Sequence, residues 1–174
     1  MAMAIDKRKA ERILTFTLDR ELYAVNIAAV REILDMTDIT RIPQAMEFMR
    51  GVVNLRGNAV PVMDLRQRFA LPATEATVNT RIIIMEHRDD KEITLMGALA
   101  DSVKEVLELD PSQIDPPPRM GSRVNSEYIR GIGKHENQFI ILLDAHKVFS
   151  FEEVAAANAL VNTAGEMKHA QGAV

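Results

Sequence analysis

Asp64, in "VPVMDLRQRF", and Asp144, in "IILLDAHKVF", are the two carboxylates of this 174-residue chain that most invite an acid–base reading. Hydrolysis by paired carboxylates needs both groups to converge in one pocket. These two hold matching places in two similar stretches, each just ahead of a short helical turn. A helix N-cap, whose side chain accepts a backbone N–H, accounts for both without chemistry. His87, His135, His146 and His169 are scattered, with no spacing that sets metal ligands on one face. The absence of cysteine removes disulfides, thiolate metal sites and a cysteine nucleophile together. Gly131 and Gly133 do not extend to the "GxGxxG" or "GxxxxGK" spacing that cradles phosphate. No catalytic residue, cofactor or metal site is therefore expected. What stands out is Arg56, held in "VVNLRGNAVPVMD" between two apolar runs. Gly57 and Asn58 suit the tight turn of a hairpin, which explains them and leaves the arginine unexplained. Its planar guanidinium carries five donors that match a carboxylate.

The elements that hold Arg56 are written twice. Residues 50–69, "RGVVNLRGNAVPVMDLRQRF", lie over residues 130–149, "RGIGKHENQFIILLDAHKVF", without a gap. Arg50 falls on Arg130, Gly51 on Gly131, Asp64 on Asp144 and Phe69 on Phe149. Upstream, "LYAVNIAAVREIL" (22–34) lies over "LMGALADSVKEVL" (95–107), pairing Leu22 with Leu95, Val30 with Val103, Glu32 with Glu105 and Leu34 with Leu107. The offset grows from 73 to 80 because the second connection, "DPSQIDPPPRMGSRVNSE", is longer. Matches kept in order along the chain indicate two copies of one unit.

Within a copy, apolar and polar residues alternate at the strand period. "ILTFTL" turns at "DRE" into "LYAVN", and "RIIIMEH" turns through "RDDKE" into "ITLMGALA". "VVNL" turns through "RGN" into "AVPVMD", mirrored by "QFIILLD" after "KHEN". Short helical turns are expected at 46–50, 65–69 and 145–149, and a C-terminal helix from near Glu152, with a frayed end. Four or five short strands per copy leave long edges unless each sheet closes into a small barrel. Pro61 cannot donate to a ladder, so "AVPVMD" is expected to bend or border its barrel. A barrel of about 60 residues is marginally stable alone, so the two should share a core along their junction, with a groove between them. The expected division is 14–80 for the first barrel, 81–150 for the second and 151–174 for a C-terminal helix and flexible tail.

Composition sets outer limits on function. Apolar residues make up 47% of the chain and charged residues 26%, which suits a globular protein with an ordinary surface. The net charge of -4 argues against a phosphate-binding face, so nucleic acid is not an expected partner. The opening "MAMAIDKRKAERI" has no apolar core of signal-peptide length, and no window approaches the ~20 apolar residues of a membrane span. A cytoplasmic protein is expected, touching a membrane only through other proteins. Ten methionines serve either to fill cores or to furnish adaptable contact surfaces.

The stretches "LYAVNIAAVREIL", "TRIP", "GVVNLRGNAVPVMDLRQRF" and "SEYIRGIG" resemble the CheW family, the coupling proteins of bacterial chemotaxis, in order over residues 12–153. "NLRG" followed by "PVMDL" is the most specific part. The resemblance implies an all-β fold of two small five-stranded SH3-like barrels packed on a shared hydrophobic core. It implies no catalysis and no cofactor. It also implies an adaptor that ties the cytoplasmic tip of methyl-accepting chemotaxis receptors to the regulatory domain of the histidine kinase CheA, in arrays at the inner membrane. Carried onto this chain, it assigns receptor or kinase binding to Val30, Glu32, Ile33 and Arg56, and an apolar kinase contact to Met120.

The residues themselves leave other roles open. Val30 and Ile33 recur as Val103 and Val106, which fits core packing as well as binding, and Glu32 recurs as Glu105, which fits a structural salt bridge. Arg56 can pair with Glu32 or Asp64, or be displayed to a partner; the second copy puts Glu136 in its place, so the fold alone requires no cation there. Two further functions stay in view. One is an enzyme or small-molecule binder, which needs one deep pocket with convergent polar groups. The other is a coupling protein of a different kinase pathway, such as one for pilus motility.

Overall fold

The computed structural model describes residues 10–43, 45–88, 90–117 and 126–149. Their strands are β1 (Glu11–Leu18), β2 (Glu21–Asn26), β3 (Val30–Asp35), β4 (Met49–Leu55), β5 (Asn58–Asp64), β6 (Arg81–Arg88), β7 (Ile93–Ala100), β8 (Ser102–Leu109), β9 (Ile114–Asp115), β10 (Ile129–His135) and β11 (Gln138–Leu143). One-turn helices α1 (Leu65–Arg68) and α2 (Ala145–Val148) follow β5 and β11. Residues 46–50 form no helix: they turn directly into β4. The C-terminal helix expected from Glu152 lies outside the described residues.

The strands make two sheets, ordered β8-β1-β2-β11-β10-β9 and β3-β6-β7-β5-β4. Each curls into a small barrel. In the first, the outer strands β8 and β9 are consecutive in the chain, joined through the 3-10 turn Pro111–Gln113. In the second, Thr40, just past β3, bridges to Val52 of β4. The two-residue β9 makes the first sheet six-stranded, where five strands are expected.

The barrels do not divide the chain at residue 80. Strands β3 to β7, residues 30–100, make one barrel, and the β1–β2 hairpin joins β8 to β11 in the other. The two copies of the repeat have thus exchanged their first hairpins. Tyr23 and Ala24 of β2 lie in parallel register with Ile141 and Leu142, as Gly97 and Ala98 of β7 do with Val62 and Met63. The exchange is possible because β1 and β6 are covered on both faces, β6 by apolar side chains and β1 with Thr15 buried and donating to the Glu105 carbonyl. Ile82 and Ile84 fill one barrel with Val53, Val60 and Val62, while Ile83 and Met85 face outward from it. In the same way Ile13 fills the other barrel with Leu109, Ile140 and Leu142, and Leu14, Phe16 and Leu18 face out. The two outward faces meet in the largest core cluster, with Met63, Met96, Leu143 and Phe149. Each fully buried side chain of this size contributes about 1.5–3 kcal/mol, so the junction is as much a core as either barrel.

Repeated residues have repeated reasons. Gly51 has φ +146°, and a Cβ there would overlap the Thr40 carbonyl; a Cβ on Gly131 would press on the Asp115 carbonyl at 2.9 Å. Both glycines let an outer segment approach. Pro61 proves internal to its sheet, opposite Val52, and does not border it. Val52 turns its N–H and C=O toward Thr40, at 2.8 Å each, and so asks nothing of the missing proline donor. Between the halves, the Arg68 guanidinium lies 4.8 Å from the Phe48 ring centre and 4.7 Å from that of Tyr128, two residues that match in the repeat.

Candidate protein-interaction surface

Arg56 stands at the tip of the β4–β5 hairpin. The central turn residues are Arg56 and Gly57, with φ of 51° and 87°, one place earlier than the expected Gly57 and Asn58. Positive φ at both positions is the turn that matches the twist of antiparallel strands. The Asn54 side-chain oxygen accepts the Gly57 N–H at 2.7 Å. From this tip Arg56 Nη2 donates to both Glu32 oxygens, at 2.8 and 3.3 Å. The arginine side chain is 72% exposed and the glutamate 22%. The pair is therefore a surface one, worth at most about 1 kcal/mol to the fold. Asp64, the other expected partner, faces Arg50 at 3.5 Å.

Glu32 belongs to β3, an edge strand that, among the described residues, pairs with β6 alone. Its side chains alternate in burial. Val30 packs against the shared core and Leu34 against the barrel interior, while Arg31, Ile33 and Asp35 point outward. Ile33 is 41% exposed, an apolar side chain between two charged neighbours. Arg31 reaches Glu86 on β6 at 2.7 Å, and Arg88 donates to the same carboxylate at 3.0 Å. The Arg88 hydrogen bond, aided by Arg31, holds the Glu86 carboxyl below its ordinary value against the partial desolvation that opposes it. An exposed strand edge carrying one apolar side chain in a charged frame offers a partner area and orientation, and nothing to cleave or transfer. The structure thus brings Glu32 and Arg56 together as a pair, sets Ile33 next to Glu32 along the same edge strand but on its opposite, outward side, and commits Val30 to packing. Met120 lies outside the described residues.

Where the barrels meet, a groove of about 600 Å³ opens, with Met85, Met96, Leu143 and Phe149 on its floor and Arg88 and Arg130 among its polar lining. Neither Val30 nor Ile33 lines it. Asp144 also lines it and serves as an N-cap: its Oδ1 accepts the His146 and Lys147 N–H groups at 3.0 and 3.3 Å. Asp64 does the same for Arg66 at 3.0 Å. His87 and His146, scattered in sequence, meet ring to edge here at 5.3 Å. Arg66 escapes a sequence reading altogether. It is buried, and it donates to Asp101 at 2.6 Å, to Asp19 at 3.2 Å and to the Pro72 carbonyl at 2.8 Å. The one available signal was an arginine directly after the first residue of α1 in a stretch whose repeat partner is His146.

A family model described as "CheW-like domain" matches residues 12–153. The chain belongs to the CheW family. Among CheW relatives, "Chemotaxis protein CheW" of Klebsiella aerogenes is 36% identical over 145 residues, covering 83% of this chain and 85% of that one. The protein of the same description from Bacillus subtilis is 32% identical over 155 residues, covering 89% and 97%. The crystal structure of the scaffolding protein TtCheW from Thermoanaerobacter tengcongensis superposes with a TM-score of 0.72 at 33% identity, over 83% of this chain and 95% of that one. A CheW-family chain of two SH3-like barrels is a non-catalytic coupling adaptor of chemotaxis, and the enzyme reading falls with that membership. Among the described residues no helix is long and apolar enough to cross a membrane.

Proposed function

We propose that this adaptor joins methyl-accepting chemotaxis receptors to the regulatory domain of the histidine kinase CheA, in the cytoplasm beneath receptor arrays, and that the β3 edge with the Arg56 tip is one of its binding faces. The observation that carries this face is Ile33: an apolar side chain 41% exposed on a strand edge, beside an ion pair that the fold does not need. Burying Ile33 against a partner removes apolar area from water, and Glu32 and Arg56 orient the contact. Val30 supports the strand from beneath, and Met120 remains in the proposal as a separate kinase contact.

Ile33→Asp tests the face without attacking the core. The variant should melt like the parent, yet retain at least about tenfold less of either the CheA regulatory domain or the receptor tip in a pull-down, as loss of a buried aliphatic anchor predicts. A folded variant that retains both partners fully removes the β3 edge from the site. Co-purification from the native cell names the pathway: CheA with chemoreceptors supports the reading, and a pilus-motility kinase replaces it.

A further inference from the structure

The internal repeat relates two junctions between the barrels, and a cation of the chain itself ties only one of them. There Arg66 of α1, which follows β5 of one barrel, reaches Asp19 in the β1–β2 turn of the other at 3.2 Å and Asp101 at the exit of β7 at 2.6 Å. At the matched place α2, which follows β11, carries His146. Strand β6 of the facing barrel brings His87 beside it, ring to edge, with the ring centres 5.3 Å apart. The two histidines thus come from different barrels and meet in the lining of the groove between them.

Three features suit this pair to a metal ion. Among the described residues no hydrogen bond reaches either ring, so imidazole nitrogens are left to act as ligands. The charges around it do not repel a cation. Both arginines of the lining are neutralised, Arg88 by Glu86 and Arg130 by Glu11, while Asp144, two residues before His146, has no cationic partner among the described residues. Lys147, next along α2, does not line the groove. The spacing also fits: zinc–nitrogen bonds of about 2.0–2.1 Å in a tetrahedral arrangement hold the centres of two ligating rings about 5–5.5 Å apart, close to the 5.3 Å here. The rings stand at 73° to each other, so binding needs rotation about the Cβ–Cγ bond, a soft torsion in histidine, and His146 is exposed.

We propose that His87 and His146 together bind a divalent ion of the zinc class, Zn²⁺, Ni²⁺ or Cu²⁺, the ions that favour imidazole ligands. Among the described residues no third histidine or carboxylate completes a three-ligand site, so water fills the remaining positions. Bound there, the ion ties the two barrels across the groove as Arg66 ties them at the other junction. The site is independent of the receptor and kinase reading, and its test involves neither protein.

Full-length protein stripped of metal with EDTA is titrated with zinc chloride, by calorimetry for binding and by thermal melting for stability. At about a hundred times its Kd, zinc should raise the melting temperature by about 5–10 °C, the shift expected of a ligand that binds the folded chain alone. His87→Ala and His146→Ala should each weaken zinc binding at least about tenfold, and the double variant should lose little more than either, because the two rings act as one site. His135→Ala and His169→Ala should bind like the parent. A measurement on the parent needs no variant: zinc should shield His87 and His146, and leave His135 and His169 open, to diethyl pyrocarbonate, read on peptides by mass spectrometry. No effect of zinc on melting overturns the proposal. So does zinc binding that survives in His87→Ala or His146→Ala, which puts the ion elsewhere, and binding that requires two molecules, which makes the site intermolecular.

Discussion

The two copies of the repeat share a backbone and differ in the charges they set at matched points. At the hairpin tips the left-handed conformation is kept, with Arg56 and Gly57 answered by Glu136 and Asn137 at φ of 46° and 63°. The charge is reversed. Arg56 meets Glu32, whereas the second copy puts an acid, Glu136, at its tip and keeps Glu105 at the position that matches Glu32, and exposes Phe139 to 67% where the first has Ala59. At the junctions the first copy buries Arg66 between two aspartates and the second leaves His146 at the mouth of a groove. Geometry is thus what the fold demands twice, and charge is what each copy spends on its own task.

The sharpest way to break this comparison is at the junction. Arg66→Met should cost about 3 kcal/mol in urea unfolding, because two carboxylates and a carbonyl lose their shared cation, while His146→Ala should change stability by less than about 0.5 kcal/mol. Equal losses would mean that the two junctions do the same work. At the tips, Arg56→Ala should weaken partner binding by about 1–3 kcal/mol, the range for a lost charged hydrogen bond, with little loss of stability. Arg56→Gly sharpens this: glycine relieves the positive φ and should raise the melting temperature while binding still falls. Glu136→Gly should show the stability gain and no binding loss. The caps come next, each worth about 1 kcal/mol on replacement by alanine. Asp64→Ala should cost more than Asp144→Ala, since Asp64 is 7% exposed and also faces Arg50.

The smallest effect is in acid. Glu86 is held below its ordinary value of 4.5, first by Arg88 and then by Arg31. A carboxyl lowered in the folded state contributes stability that is present above the unfolded value and lost as pH falls through the folded one. Urea midpoints should therefore decline below about pH 4.5 less steeply in Arg88→Gln than in the parent. An unchanged acid limb would remove Glu86 from the account.

Much of this was legible from residue order alone. The gapless match of 50–69 on 130–149 locates both hairpins, both one-turn helices and both caps, because turn residues, caps and alternation act over a few neighbours. Sheet membership did not show. A strand with one polar face declares which side is inside, but "RIIIMEH" is apolar on both and "RILTFTL" turns its threonine side, too, toward a core, so nothing local says which barrel each hairpin joins. Arg56 was visible as a cation the fold does not require, though its own place in the turn was off by one residue. Ile33 and Val30 could not be separated in advance, since alternation tells two faces apart without saying which one is covered. Arg66 was missed because its partners, Asp19 and Asp101, come from distant turns that only the assembled barrels bring together.

The hairpin exchange also sets an order of events on the ribosome. Every strand of the β3–β7 barrel has been made once Ala100 emerges, whereas β1 and β2 must wait for β8, β10 and β11, the last of which ends at Leu143. At ordinary elongation rates that wait lasts on the order of ten seconds, long enough for an unpaired apolar hairpin to find the wrong neighbour. The finished barrel offers a shelter, because Ile83 and Met85 already present the surface on which Leu14 and Phe16 finally pack. The first hairpin synthesised would then be parked on the first barrel completed before it becomes a wall of the second.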